Sequence, residues 1–145
     1  MATAYFAYGS NLNRTEMVER CPGATVMGVA VLPRHRFLIT RAGFATVVNN
    51  DWSLVHGVLW MITDSDERVL DRYEGLAEGL YHKRRRWVEL VAPPQRTAVD
   101  SLLYVATDAE PGRPRAGYLE QVIAAAEDQG LPQEYIAELT TWRTP

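Results

Sequence analysis

The sequence predicts an α+β fold: a small, mixed, barrel-like sheet with flanking helices. Three observations carry this. Segments rich in Val, Ile, Thr and aromatic residues dominate residues 25–106, as pleated surfaces prefer. Helical periodicity interrupts them once, at residues 65–74, and then returns near the end of the chain. Helices are thus inserted or appended rather than alternated with strands, which sets the pattern apart from a parallel βαβ fold.

Residues 4–8 read as a buried first strand. A short helix at 13–20 follows, with Asn13 and Glu16 spaced as a capping box and Pro22-Gly23 ending it. Four strand segments come next. Residues 25–32 and 36–40 are separated by Pro33; residues 45–49 and 54–62 are separated by the turn residues Asn50-Asp51. The helix at 65–74 has Asp64 and Glu67 spaced as a capping box, Val69, Leu70 and Tyr73 on one face, and Gly75 where a helix stop belongs. Strands at 80–91 and 97–106 are joined across Pro93-Pro94. The run 108–115, with Pro111, Gly112 and Pro114, reads as the loosest loop. Helices at 116–128 and 132–141 close the chain, with Gly130 between them and Pro132 suited to a first helical turn.

The chain has 145 residues, 47% of them hydrophobic, which suits one domain, 1–145, with a proper core. A net charge of −3 gives no general attraction to nucleic acid or acidic membrane. Neither a signal peptide nor a membrane span is expected. The single Cys21 cannot form an intrachain disulfide and reads as a packing thiol, so a cytoplasmic setting is expected. His35, His56 and His82 have no metal-ligand spacing, and no metal is expected.

Four features bear on chemistry. The loop Tyr8-Gly9-Ser10-Asn11-Leu12 ends an apolar strand at a helix start, a recipe for gripping a carboxylate or an oxyanion. Gly9 permits positive φ and close backbone approach; Ser10 and Asn11 add polar side chains. The plain reading is an ordinary strand-to-helix turn. Glu74 stands at a helix C-terminus, where the carbonyl dipoles disfavour a carboxylate and move its pKa upward. A proton shuttle needs that tendency; an exposed Glu on a frayed helix end is the alternative. Tyr81, Tyr104 and Tyr118 read singly as core aromatics with satisfied hydroxyls. The run His82-Lys83-Arg84-Arg85-Arg86-Trp87 tempts a nucleic-acid reading. On a strand its charges alternate between faces, however, and a solvated sheet edge is favoured.

Taken in order, these segments resemble the γ-glutamylcyclotransferase-like (AIG2-like) family. Phe6-Ala7-Tyr8-Gly9-Ser10-Asn11-Leu12 is similar to its opening signature, and Val55-His56-Gly57-Val58-Leu59-Trp60 to its central strand. Leu70-Asp71-Arg72-Tyr73-Glu74-Gly75 with Gly79-Leu80-Tyr81 resembles the segment holding the catalytic Glu. Gly130-Leu131-Pro132-Gln133-Glu134-Tyr135 resembles the closing motif. The resemblance implies a small β-barrel and a cofactor-free cyclisation of a γ-glutamyl amine or amide to 5-oxoproline and free amine. It implies Glu74 as acid/base. It also implies a substrate site of Tyr8, Gly9, Ser10, Asn11, Leu12, Tyr81, Tyr104 and Tyr118. Glu78 falls where the family varies and takes no catalytic role. The expected partner is a small γ-glutamyl molecule, with no nucleic acid and no membrane. A non-catalytic carboxylate-binding module on the same scaffold is the alternative. Neither the amine half of the substrate nor the oligomeric state is readable.

Overall fold

Five strands, β1 (Thr3–Ala7), β2 (Thr25–Ile39), β3 (Ala45–Ile62), β4 (Tyr81–Ala92) and β5 (Gln95–Ala106), form a closed barrel in the order β1–β3–β2–β4–β5. The structure is a computed structural model that describes residues 2–92 and 94–143. Hairpin pairings make most of the sheet antiparallel, and a parallel contact of Tyr5 with Leu102 joins β1 to β5 and closes it. Closure removes the exposed edges that a short apolar strand such as β1 would otherwise present. Among the described residues, four helices flank the barrel: α1 (Arg14–Arg20), α2 (Asp64–Tyr73), α3 (Tyr118–Asp128) and α4 (Gln133–Thr140).

Two expected breaks are absent. Pro33 does not split β2, and Asn50-Asp51 does not split β3; each strand runs on through an irregularity. The register passes from Pro33↔Leu54 to His35↔Asn49, so residues 50–53 of β3 bulge opposite Arg34 alone. The turn signals were real but local. Asn50 Oδ1 accepts from Trp52 N at 3.0 Å, while the long ladder on either side carries both strands past the kink. Pro93, in the expected β4–β5 turn, lies outside the described residues.

The helix termini also refine the expectation. At α1, Asn13 Oδ1 accepts from Glu16 N at 3.0 Å, as a capping residue should. The α2 box is one residue earlier than expected: Thr63 accepts from Asp66 N at 3.1 Å, and Asp66 accepts from Thr63 N at 3.0 Å. Thr63 has the extended backbone of a cap, and burial of Asp66 draws that carboxylate inwards, where Gly23 N also reaches it. Gly75 stands just past α2 at φ 67°, a left-handed conformation that closes the helix. Pro132 caps α4 instead of opening its first turn.

The core lies on both faces of the sheet. Phe6, Leu59, Trp60 and Leu103 are fully or almost fully enclosed, as are Leu119 of α3 and Leu139 of α4. Cys21 is buried, donates to the Asp66 carbonyl at 3.7 Å, and has its thiol pushed up to about 11 by burial, which suits an inert packing role. The run 108–115 is less loose than its composition suggests. Arg41 N donates to the Glu110 carbonyl at 2.8 Å, Gly112 N to Ile39 at 2.9 Å and Arg115 N to Gly43 at 3.1 Å. These bonds fix it across the end of the β2–β3 hairpin. Among the described residues, no helix is long and apolar enough to cross a membrane.

Candidate active site

A cavity of about 420 Å³ opens between the end of β1, the C-terminus of α2 and the start of α3. β1 delivers Tyr8 and then the loop. Residues Ser10–Leu12 form one 3-10 turn, with Leu12 N bonded to the Gly9 carbonyl at 3.0 Å and Asn13 N to Ser10 at 3.1 Å. The opening amides of such a turn have no partner inside it. Gly9, Ser10 and Asn11 all line the cavity.

Two expectations about this loop are corrected. Leu12 does not line the cavity: its side chain is fully buried, its N–H is spent inside the turn, and its carbonyl accepts from Gln129 Nε2 at 2.9 Å. Gly9 does not use positive φ, since its φ is −121°. A Cβ there would meet the Tyr118 hydroxyl at 3.1 Å, a tight contact that this side chain would have to relieve by a small shift.

Glu74 caps α2 at its C-terminus and lines the cavity with the loop residues. Burial pushes its pKa up to about 7, and the nearby Arg20 guanidinium opposes that rise. Glu78, by contrast, lies in an exposed turn. Tyr8, Tyr81, Tyr104 and Tyr118 all line the cavity. Burial raises the pKa of each, so every hydroxyl keeps its proton. Three of those protons are committed: Tyr8 donates to the Tyr104 carbonyl, Tyr81 to the Ala45 carbonyl at 2.7 Å, and Tyr104 to Asp71 at 2.7 Å. Tyr118 differs. Its oxygen accepts from Ala45 N at 3.2 Å, and among the described residues its own proton meets no acceptor.

Sequence reasoning missed Arg20, Tyr5, Tyr73, Phe44 and Ala45, all of which line the cavity. Arg20 is the one cation there among the described residues. It donates to Asn11 Oδ1 and lies 3.7 Å over the Tyr73 ring centroid, so it is held from two sides. Asn11 in turn donates to Tyr5 at 2.9 Å, and Ser10 and Tyr73 share a hydrogen bond of 2.9 Å. A basic residue in a last helical turn reads as dipole compensation, which hid Arg20. Its spacing of four from Glu16 on a short helix beside the loop was the available signal. Among the described residues, no histidine or cysteine lines the cavity, and no group of His, Cys, Asp or Glu could hold a metal ion.

The site is thus one near-neutral carboxyl facing a loop of amides, an arginine and an uncommitted phenol. Comparison with known proteins gives the chain's family. The AIG2-like family matches over residues 54–139. The γ-glutamylcyclotransferases of Mus musculus and Homo sapiens are each 30% identical over 146 residues, covering 93% of this chain and 76% of theirs. The chain belongs to the γ-glutamylcyclotransferase-like (AIG2-like) family. Among solved structures, a γ-glutamyl cyclotransferase superposes with a TM-score of 0.89 at 26% identity, over 100% of this chain and 90% of that one. The family match spans β3 from Leu54 through α2, Glu74 and both later hairpin strands to α4, and so contains the helix that presents the carboxyl.

Proposed function

We propose that this chain is a γ-glutamylcyclotransferase-type enzyme that cyclises a γ-glutamyl amine or amide, releasing 5-oxoproline and the free amine. The observation that carries the reading is Glu74, a carboxyl poised near neutrality against an amide-rich loop. The substrate supplies its own nucleophile. Its α-amine attacks the γ-carbonyl carbon, a C–N bond forms, and Glu74 takes the proton the nitrogen sheds. The tetrahedral centre then collapses, the bond to the departing nitrogen breaks, and Glu74 returns the proton to that nitrogen. One group with a pKa near the working pH serves both steps, with a typical contribution of about 10²–10⁴ in rate. Holding amine and carbonyl together supplies the remainder, up to about 7–11 kcal/mol in well-oriented systems.

The binding roles follow from charge. The α-carboxylate is negative throughout and suits Arg20 with the Gly9, Ser10 and Asn11 amides. The oxyanion is negative only transiently and suits the neutral Tyr118 hydroxyl, whose proton is uncommitted. Tyr8, Tyr81 and Tyr104 act as walls, because their protons are used elsewhere. A binder of carboxylates without catalysis would gain nothing from Glu74, which repels its ligand once ionised.

The test is a mass-spectrometric screen of γ-glutamyl amines for 5-oxoproline, with Glu74→Gln as control. Release by the natural chain and its loss, by about 10²-fold or more, in a folded Glu74→Gln protein is expected. Equal turnover by that variant, or binding without turnover across the panel, would overturn the reading.

A further inference from the structure

The basic run on β4 is not absorbed by the cavity around Glu74, and its side chains divide. Lys83 bonds Glu67 at 2.6 Å and Asp71 at 2.8 Å; Arg85 bonds Asp100 at 3.2 Å. Arg96 takes Glu89 at 3.2 Å. Arg84 and Arg86 are left without an acidic partner among the described residues. Each has its guanidinium turned back along the strand, bonded to the carbonyl of the residue before it at 2.8 Å.

Both arginines share a cleft of about 320 Å³ with His35, Asn49, Val47 and Val105. Among the described residues, no carboxylate lines it. It forms where β2 and β4 part: their ladder is only Ala30↔Leu90 and Val31↔Glu89. Arg84 pairs with Leu103 and Arg86 with Ser101, both fully buried, while Arg84 itself is exposed and Arg86 half-buried, so the two guanidiniums stand on one face at the mouth of the cleft. The bulge of β2 against β3 lies beside the cleft. Arg34 there has φ 62°, the one described non-glycine residue in the left-handed region, and the shift it permits seats His35 at the cleft. His35 Nδ1 bonds the Pro33 carbonyl at 2.9 Å, which leaves Nε2 for another partner.

We propose that this cleft is a second binding site, for a small phosphate monoester. Arg84 and Arg86 lie two residues apart on one strand, about 7 Å along the backbone. Two planar forks at that spacing can close on the oxygens of one tetrahedral dianion, where a carboxylate would occupy one fork only. The Asn49 amide can supply a further donor, and the His35 ring lines the cleft beside it. Val47 and Val105 form an apolar wall for the organic part. The run that resembles a nucleic-acid patch in the sequence is thereby reduced to two usable cations in a confined cleft, too few for a polyanion to track.

The test is titration of the full chain with phenyl phosphate, benzoate and phenol, followed residue by residue by amide NMR shifts. Shifts are expected at residues 35, 47–49, 84–86 and 103–106 with phenyl phosphate, with weaker effects from benzoate and none from phenol there. The double variant Arg84→Met/Arg86→Met should bind at least about tenfold more weakly, the low end for losing a charge-assisted bond. It should still release 5-oxoproline at the natural rate. Should that variant fail to fold, Arg84→Lys/Arg86→Lys keeps the charges without the forks, and weakened binding is expected of it too. Unaltered affinity in a folded variant, benzoate binding as tightly as phenyl phosphate, or shifts confined to the Glu74 cavity would overturn the proposal. So would tighter, steeply salt-dependent binding of a uridine octanucleotide, which would make the cleft part of a nucleic-acid surface.

Discussion

Glu74 sets the pH behaviour expected of this site. Its carboxylate must be ionised to accept a proton, so kcat/KM should rise with pH along a limb centred at about 7. Arg20 favours the ionised form, so Arg20→Met should move that limb to higher pH besides raising KM. A limb that stays in place would show that the guanidinium does not act on Glu74. Tyr118→Phe removes a phenolic proton that meets no acceptor among the described residues. If that proton meets the oxyanion, kcat should fall by about 10²-fold with KM little changed; a change in KM alone would assign Tyr118 to ground-state binding instead. Tyr81→Phe, whose proton is held by Ala45, should affect stability more than kcat. Glu74 was legible in the sequence because a helix end followed by glycine is a local pattern. The uncommitted proton of Tyr118 was not, since it depends on Ala45, 73 positions away.

α2 matters because its last turn presents the carboxyl, and its position rests on two strand residues. Lys83 of β4 grips Glu67 and Asp71, and Tyr104 of β5 also holds Asp71. Such partly exposed ion pairs contribute little stability, about 0–1 kcal/mol each, yet displacement of a catalytic group by 1 Å can cost about 10²-fold in rate. Lys83→Met should therefore lower kcat at least about tenfold while costing only about 1 kcal/mol in urea denaturation. Parallel losses in rate and stability would reduce Lys83 to a plain surface pair. At the other end of the helix, Thr63→Ala should cost about 1 kcal/mol, because Asp66 N then loses its acceptor. The sequence pointed to a box here but placed it one residue late. Thr63, Asp64 and Ser65 are all competent caps by type, and only the burial of Asp66 against Gly23 selects among the registers.

Two half-buried titratable groups act on the stability of the whole molecule from opposite sides. Glu74 has its folded pKa raised from the ordinary 4.5 to about 7 by burial. Its contribution is fully present below 4.5 and is lost as pH rises through about 7. At about 1.4 kcal/mol per pH unit, the penalty is bounded at about 3 kcal/mol. Glu74→Gln should then be more stable than the natural chain in alkaline buffer and no more stable in acid. His56, on β3, has its ring 4.8 Å from Tyr135 of α4, and its Nδ1 is buried without a partner among the described residues. Burial, and then the charge of Arg96, lower its pKa from 6.5. Its contribution is present above 6.5 and is lost as pH falls through that value towards the lower folded one. Thermal melts across pH should show a maximum between these limits. His56→Phe should flatten the acid side, and an unchanged acid side would remove His56 from the account.

The sequence by itself determined the α+β class, the identity of most strands and helices, the candidate carboxyl Glu74 and the polar loop, because each is written in short-range periodicity, capping residues and motif order. Tertiary structure alone decided the rest. Ladder hydrogen bonds from a distant partner carried β2 through Pro33 and β3 through Asn50-Asp51, where local turn chemistry argued for breaks. Closure of the barrel sent Leu12 into the core and brought Arg20 and Tyr73 to the cavity. Cross-strand pairing sorted the basic run into Lys83 and Arg85, neutralised by acids, and Arg84 and Arg86, left facing a cleft. The physical reason is the same in each case. A side chain's partner, and hence whether its charge or proton is free for chemistry, is set by contacts between segments far apart in the chain.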